Sequence, residues 1–174
     1  MRCALTTRSA AETEAVGRRL GARAPAAGVL TLSGVLGAGK TVLAQGVLAG
    51  LGVPGPHPSP TFTIVRRYVR PGGGIVWHVD AHRLAEPEEL GWDEVLGGDG
   101  LVLIEWPEAL AELLPRDRME AVLARTGDGS ARRIELIGHG QVAADWLGRA
   151  VAEGLPGSAG GEPDAEPAPA GWLG

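Results

Sequence analysis

Gly28-Val29-Leu30-Thr31-Leu32-Ser33-Gly34-Val35-Leu36-Gly37-Ala38-Gly39-Lys40-Thr41 leads into the apolar run Val42-Leu43-Ala44-Gln45-Gly46-Val47-Leu48. Residues 28–33 have the make-up of a short buried strand, and residues 41–48 form a helical run that closes near Gly50 and Gly52. The segment between them, Gly34 to Thr41, matches the pattern G-x-x-x-x-G-K-[ST] over its full length. Strand, glycine loop and helix in that order gather backbone N–H groups into an anion nest and add the partial positive charge of a helix N-terminus. They also set the Thr41 hydroxyl where Mg²⁺ sits beside phosphates.

Of the 16 Lys and Arg residues in the chain, Lys40 is the only lysine. Ordinary cationic positions are filled with arginine, so the exception marks a place where a planar guanidinium does not serve. A compact ammonium fits between β- and γ-phosphate oxygens, where a rigid fork does not.

Two acids at strand ends complete the pattern. Phosphate-loop enzymes need a carboxylate near Mg²⁺ where a buried strand emerges beside the phosphates. Asp80 ends Ile75-Val76-Trp77-His78-Val79 and Glu105 ends Leu101-Val102-Leu103-Ile104. Either acid can hold the metal, directly or through water, or orient an attacking water.

The rest of the chain organises around these segments. Ser9-Ala10-Ala11-Glu12 has the form of a capping box, which predicts a helix with Val16 and Leu20 on its apolar face and Gly21 as its stop. Residues 61–69 and 74–80 read as a hairpin turning at Pro71-Gly72-Gly73. Residues 86–96 read as a helix with Pro87 in its first turn. Ser59-Pro60-Thr61, following Pro54, Pro56 and Pro58, reads as a stiff surface loop, either a turn leading into the strand at Thr63 or a nucleotide-sensing switch. The expected domain is 1–153, followed by a Gly- and Pro-rich tail, 154–174, expected to be disordered, in which Trp172-Leu173 is the one apolar pair near the end.

Composition narrows the classes. The chain has 174 residues and 44% hydrophobic content, interrupted too often by Gly, Arg and acids to contain a membrane-spanning stretch. A single cysteine, Cys3, allows no internal disulfide, and Met1 to Arg8 lack the apolar region of a secretory signal, so a cytoplasmic location is expected. The net charge of -5 excludes a strong basic field for holding nucleic acid alone, leaving Arg66-Arg67 and Arg132-Arg133 as local contacts. His57, His78, His82 and His139 form no metal-ligand pattern.

Four motifs in order then carry a resemblance: Leu36-Gly37-Ala38-Gly39-Lys40-Thr41, Ser59-Pro60-Thr61-Phe62-Thr63, His78-Val79-Asp80 with Arg83-Leu84, and Glu105-Trp106-Pro107-Glu108. Over roughly residues 5 to 140 the chain resembles the TsaE family, the ATPase partner in bacterial tRNA threonylcarbamoyladenosine synthesis. The resemblance implies a three-layer α/β, P-loop NTPase-like fold with a mixed central sheet, ATP and Mg²⁺ as ligands, and slow ATP hydrolysis that supports the partner proteins TsaD and TsaB, with tRNA reached only through that complex. It further implies that Gly37, Ala38, Gly39, Lys40, Thr41 and Val42 bind the nucleotide, that Thr41 and Glu105 hold Mg²⁺, that Lys40 is also catalytic, and that Asp80 assists hydrolysis or metal positioning. Thr13 resembles the family's nucleotide-contacting threonine, Trp106 is expected to flank the nucleotide, and Arg132, with Arg133 equally placed, is expected to reach it from a late strand. The family usually carries an acid where Val35 stands, and Leu-Tyr where this chain has Ala81-His82.

Two other classes share the loop. A small-molecule kinase needs an acceptor pocket and a cationic lid, for which Arg116-Asp117-Arg118 is the available segment. A nucleotide-responsive binding module with negligible turnover fits the same residues. A GTPase is disfavoured, because the guanine-reading Asn-Lys-x-Asp needs a second lysine.

Overall fold

Leu101–Glu105 is buried at all five positions, as a parallel strand covered on both faces must be. The computed structural model describes residues 1–60, 63–84, 91–127 and 129–157. In it the chain runs β1 (Arg2–Thr7), α1 (Ala10–Ala22), β2 (Gly28–Ser33), α2 (Lys40–Gly50), β3 (Val65–Val69), β4 (Ile75–Asp80), α3 (Trp92–Gly97), β5 (Leu101–Glu105), β6 (Arg118–Arg125), β7 (Arg132–His139) and α4 (Gly140–Ala152). The seven strands form one mixed sheet in the order β1-β7-β6-β2-β5-β4-β3. β2 runs parallel to β5 and β6, and β5 parallel to β4, while β1–β7, β6–β7 and β3–β4 are antiparallel. The C-terminal ends of β2, β4 and β5 therefore lie side by side, with Asp80 opposite Glu105 and Glu105 opposite Leu32.

Helices α1, α2 and α4 cover one sheet face, burying Val16, Leu20, Leu43, Val47 and Trp146 against Leu30, Leu32 and Leu103. The other face buries Val29, Val79, Val102 and Ile104 under Trp92 and Val95 of α3 and Leu110 of a short 3-10 turn. Three layers result. Among the described residues no helix is long and apolar enough to cross a membrane.

Ser9 caps α1 as expected, its hydroxyl accepting from Glu12 N at 3.1 Å. The return bond differs, since the Glu12 carboxylate accepts from Arg8 N at 2.8 Å, one residue ahead of the cap. Gly21 is not the stop, because α1 continues to Ala22. Its lack of a side chain serves packing instead. A Cβ on Gly21 would lie 2.1 Å from the Val47 carbonyl oxygen, and one on Gly17 would lie 2.3 Å from that of Leu43. The facing positions on α2 behave alike, with Gly46 at 2.2 Å from the Glu14 oxygen and Gly50 at 2.2 Å from that of Arg18. Two glycines spaced by four on each helix let the backbones touch, which fixes where α2 begins.

The hairpin forms with Val69 opposite Ile75, but β3 starts at Val65 rather than at 61. Thr63 N and Ile64 N both donate to the Pro60 carbonyl at 2.8 Å, and this turn replaces the first part of the expected strand; Thr61 and Phe62 lie outside the described residues. Of the helix expected over 86–96, residues 86–90 also lie outside them, and α3 begins at Trp92. Beyond the expected boundary at 153, Leu155 is buried and Thr6 N donates to the Gly157 carbonyl at 3.2 Å, so packing extends at least four residues further. Residues 158–174, including Trp172-Leu173, are outside the described set.

The segment considered as a kinase lid is tied to the body. The two carboxylate oxygens of Asp117 accept from Val142 N and Ala143 N, each at 3.0 Å, and so cap α4, while Arg118 opens β6.

Replacing Gly46 with Ala is expected to lower stability by about 1–3 kcal/mol, because the new methyl must push two backbones apart. Gly97→Ala, where a Cβ meets nothing within 4 Å, is the matched control and should be neutral or slightly stabilising. Urea unfolding midpoints measure both, and equal midpoints would show that the close helix approach is not constrained.

Candidate functional site

The glycine loop leaves the end of β2 and turns into α2 through Gly39, whose φ of 108° suits glycine and which, having no side chain, offers no cap. The first turn of α2 is thus uncapped by any side chain, the arrangement in which helix N–H groups receive an anion. Gly37 also has a positive φ, 73°, and Ala38 is fully buried beneath the loop, its N–H donating to the Val35 carbonyl at 3.1 Å. Val42 lies half-buried in the first turn.

Lys40 is buried, with Nζ donating to the Gly34 and Val35 carbonyls at 2.5 and 3.1 Å. Its ammonium also lies 3.5 Å from the centroid of the Trp106 ring. Burial holds its pKa below the ordinary lysine range, against the opposing pull of Glu105, Glu108 and Asp80. An anion within reach would relieve that desolvation. Val35 contributes its carbonyl to Lys40, and its side chain is exposed.

Thr41 Oγ1 donates to Glu105 Oε2 at 2.8 Å, which joins the helix start to the end of β5. The other oxygen, Oε1, is 2.9 Å from His78 Nε2. Asp80, buried at the end of β4 beside Glu105, accepts from His82 N at 3.1 Å and so caps the 3-10 turn that follows. These are hard oxygen donors at the mouth of the loop, a set that suits Mg²⁺. No group of three His, Cys, Asp or Glu converges as a metal site among the described residues.

Trp106 adopts the left-handed conformation, φ 59° and ψ 55°, directly after Glu105. Such strain in a bulky residue concentrates at functional sites. Its ring packs against His82 at 4.7 Å between centroids, so the histidine standing where the family favours tyrosine still supplies an aromatic face.

Lys40, Thr41, Asp80, Glu105 and Trp106 therefore converge, and Thr13 adjoins them from behind. The Thr13 methyl lies 3.7 Å from the Cβ position of Gly39, while its hydroxyl is engaged by Thr7 Oγ1 at 2.7 Å and by the Ser9 carbonyl at 3.2 Å. Arg132 is not brought to the loop by any recorded contact; its guanidinium donates to the Gly129 and Ala131 carbonyls at 3.0 and 3.1 Å. The arginine at the loop is its cross-strand neighbour Arg125, which donates from Nε and Nη2 to the Gly37 carbonyl at 3.3 and 3.2 Å. A Cβ on Gly37 would lie 2.3 Å from that guanidinium. Arg125 escaped the sequence reading, and the pairing of His78 with Glu105 did too, because their partners are 88 and 27 residues away.

Fold and site together define an α/β protein of the P-loop NTPase-like class. Residues 7–134 match the family described as "Threonylcarbamoyl adenosine biosynthesis protein TsaE". The chain belongs to the TsaE family. It is 42% identical over 118 residues to the tRNA threonylcarbamoyladenosine biosynthesis protein TsaE of Bacillus subtilis, covering 67% of this chain and 74% of that one. The protein of the same name from Streptomyces coelicolor is 40% identical over 134 residues, covering 72% and 90%. The crystal structure of B. subtilis YdiB superposes with a TM-score of 0.76 at 32% identity, covering 88% of this chain and 96% of that one.

Proposed function

We propose that this protein is a slow Mg²⁺-dependent ATPase that serves tRNA threonylcarbamoyladenosine biosynthesis in the cytoplasm, working with TsaD and TsaB and meeting tRNA only through them. The observation that carries this reading is the 2.8 Å contact between Thr41 Oγ1 and Glu105 Oε2 beside an uncapped helix start and a buried lysine. Family membership supports the biosynthetic role.

Each residue then has a task. The Gly37–Thr41 backbone and α2 receive the phosphates, and Val42 extends that first turn. Lys40 exchanges the Gly34 and Val35 carbonyls for phosphate oxygens and offsets the charge that develops as the terminal phosphoryl group departs. Thr41 and Glu105 would hold Mg²⁺, which when bound neutralises charge shared by two phosphates. Asp80, whose carboxylate lies next to Glu105, accepts a hydrogen bond from the attacking water and orients it. Trp106 shields Lys40 from solvent and flanks the nucleotide, and Thr13 shapes the loop from beneath Gly39. Arg125 steadies the loop by donating to the Gly37 carbonyl. The anchoring of Asp117 to α4 weighs against a kinase with a lid in that segment.

Lys40→Ala is expected to weaken ATP binding at least about tenfold, equivalent to about 1.4 kcal/mol, in a calorimetric titration; undiminished affinity would remove the phosphate role. Asp80→Ala should reduce turnover while the unfolding midpoint stays close to wild type, and Glu105→Ala should reduce turnover with a lowered midpoint because His78 and Thr41 lose their acceptor; full activity in both would dismiss the metal and water roles. ATP hydrolysis measured alone and with TsaB, TsaD and tRNA tests the whole reading. Stimulated hydrolysis with modified tRNA is expected, whereas phosphorylation of a small acceptor, or modification indifferent to this protein, would contradict it.

A further inference from the structure

His78 is fully buried on β4, with no part of it reaching solvent. It lies on the sheet face that carries Val76, Leu103 and Leu30, where an aliphatic side chain is the ordinary occupant. Its Nε2 is 2.9 Å from Glu105 Oε1, and its buried Nδ1 has no hydrogen-bond partner among the described residues. Burying an imidazole with one nitrogen unsatisfied is unfavourable compared with leucine at the same place. Such a departure from good core design concentrates at functional sites.

The pairing has a direction. The carboxylate oxygen accepts, so His78 donates from Nε2. Glu105 is itself buried, and its oxygens are divided: Oε1 faces His78 and Oε2 faces Thr41. A carboxylate on a free χ angle would sample several orientations. One held at both oxygens keeps a single orientation, with Oε2 directed to the start of α2.

We propose that His78 is a positioning residue that fixes the Glu105 carboxylate so that Oε2 stays beside the Thr41 hydroxyl, ready for the divalent cation. The inference rests on the Mg²⁺ role given above to Thr41 and Glu105. If His78 served stability alone, His78→Leu would lower the unfolding midpoint by leaving Glu105 Oε1 without its partner but would leave cation binding untouched. If it positions Glu105, cation binding suffers selectively, because removing a partner of a metal-ligating side chain lowers metal affinity about 10–100-fold.

ATP binding to the full-length protein is measured by calorimetry across a Mg²⁺ titration and in excess EDTA, for wild type, His78→Leu and His78→Gln. His78→Leu should need about 10–100-fold more Mg²⁺ for half-maximal enhancement of ATP binding while its affinity in EDTA equals that of wild type. His78→Gln, whose side-chain amide can donate to Oε1, should recover most of the loss. An unchanged Mg²⁺ requirement in His78→Leu overturns the proposal, as does equal weakening with and without Mg²⁺, or a Gln variant no better than Leu. Wild-type protein whose ATP affinity ignores Mg²⁺ would instead overturn the functional reading on which the proposal rests. An imidazole ¹H–¹⁵N spectrum of the wild-type protein gives a second check that needs no variant to fold. It should show His78 protonated at Nε2, and an unprotonated Nε2 would overturn the assignment.

Discussion

A carboxylate buried at the end of the central strand governs the architecture around it. Glu105 retains only 2% of its exposure, and a charge so placed is tolerable only when donors surround it. Thr41 supplies one bond from the first turn of α2, and His78 faces the other oxygen from β4. Three elements distant in sequence are thereby tied at one point, which lies where the C-terminal ends of parallel strands open onto a crevice. The position of the glycine loop follows, since it has to span from Ser33 to a helix start already fixed by Glu105.

The helix is located from its other side by backbone contact. Gly17 and Gly21 of α1 meet Gly46 and Gly50 of α2 with no room for a methyl group, so α2 has little freedom to shift away from the sheet. Arg125 adds a third restraint by holding the Gly37 carbonyl from β6. Within this frame Lys40 is the adaptable element. Its bonds are to loop carbonyls and a ring face, partners that phosphate oxygens outcompete, and its lowered pKa reflects burial that an anion would offset.

Much of this was readable in the chain. The strand, loop and helix around Lys40 follow from local pattern, and so do the acids ending β4 and β5, because each depends on residues adjacent in sequence. The hairpin was readable too, from Pro71-Gly72-Gly73 between two apolar runs. What depended on distant partners was not. Gly21 looked like a helix stop because its true partner, the Val47 carbonyl, is on another helix. Arg132 and Arg125 share a cross-strand register, and only the sheet shows which one faces the loop. β1, β6 and α4 escaped notice for a similar reason. Trp146, which anchors α4 through a 2.8 Å bond to the Leu20 carbonyl, has its partner 126 residues away. His78 carried no recognisable metal pattern since its role is exercised through another side chain.

The central claim is that the loop, the start of α2 and Glu105 form one Mg²⁺–ATP site. A crystal structure of the protein with Mg²⁺ and a non-hydrolysable ATP analogue tests it most directly. The account predicts phosphates against the backbone of Gly37 to Thr41, Lys40 moved from the Gly34 and Val35 carbonyls to phosphate oxygens, and the ion between Thr41 and Glu105. Nucleotide bound away from the loop, or an ion with neither residue near it, would contradict the account.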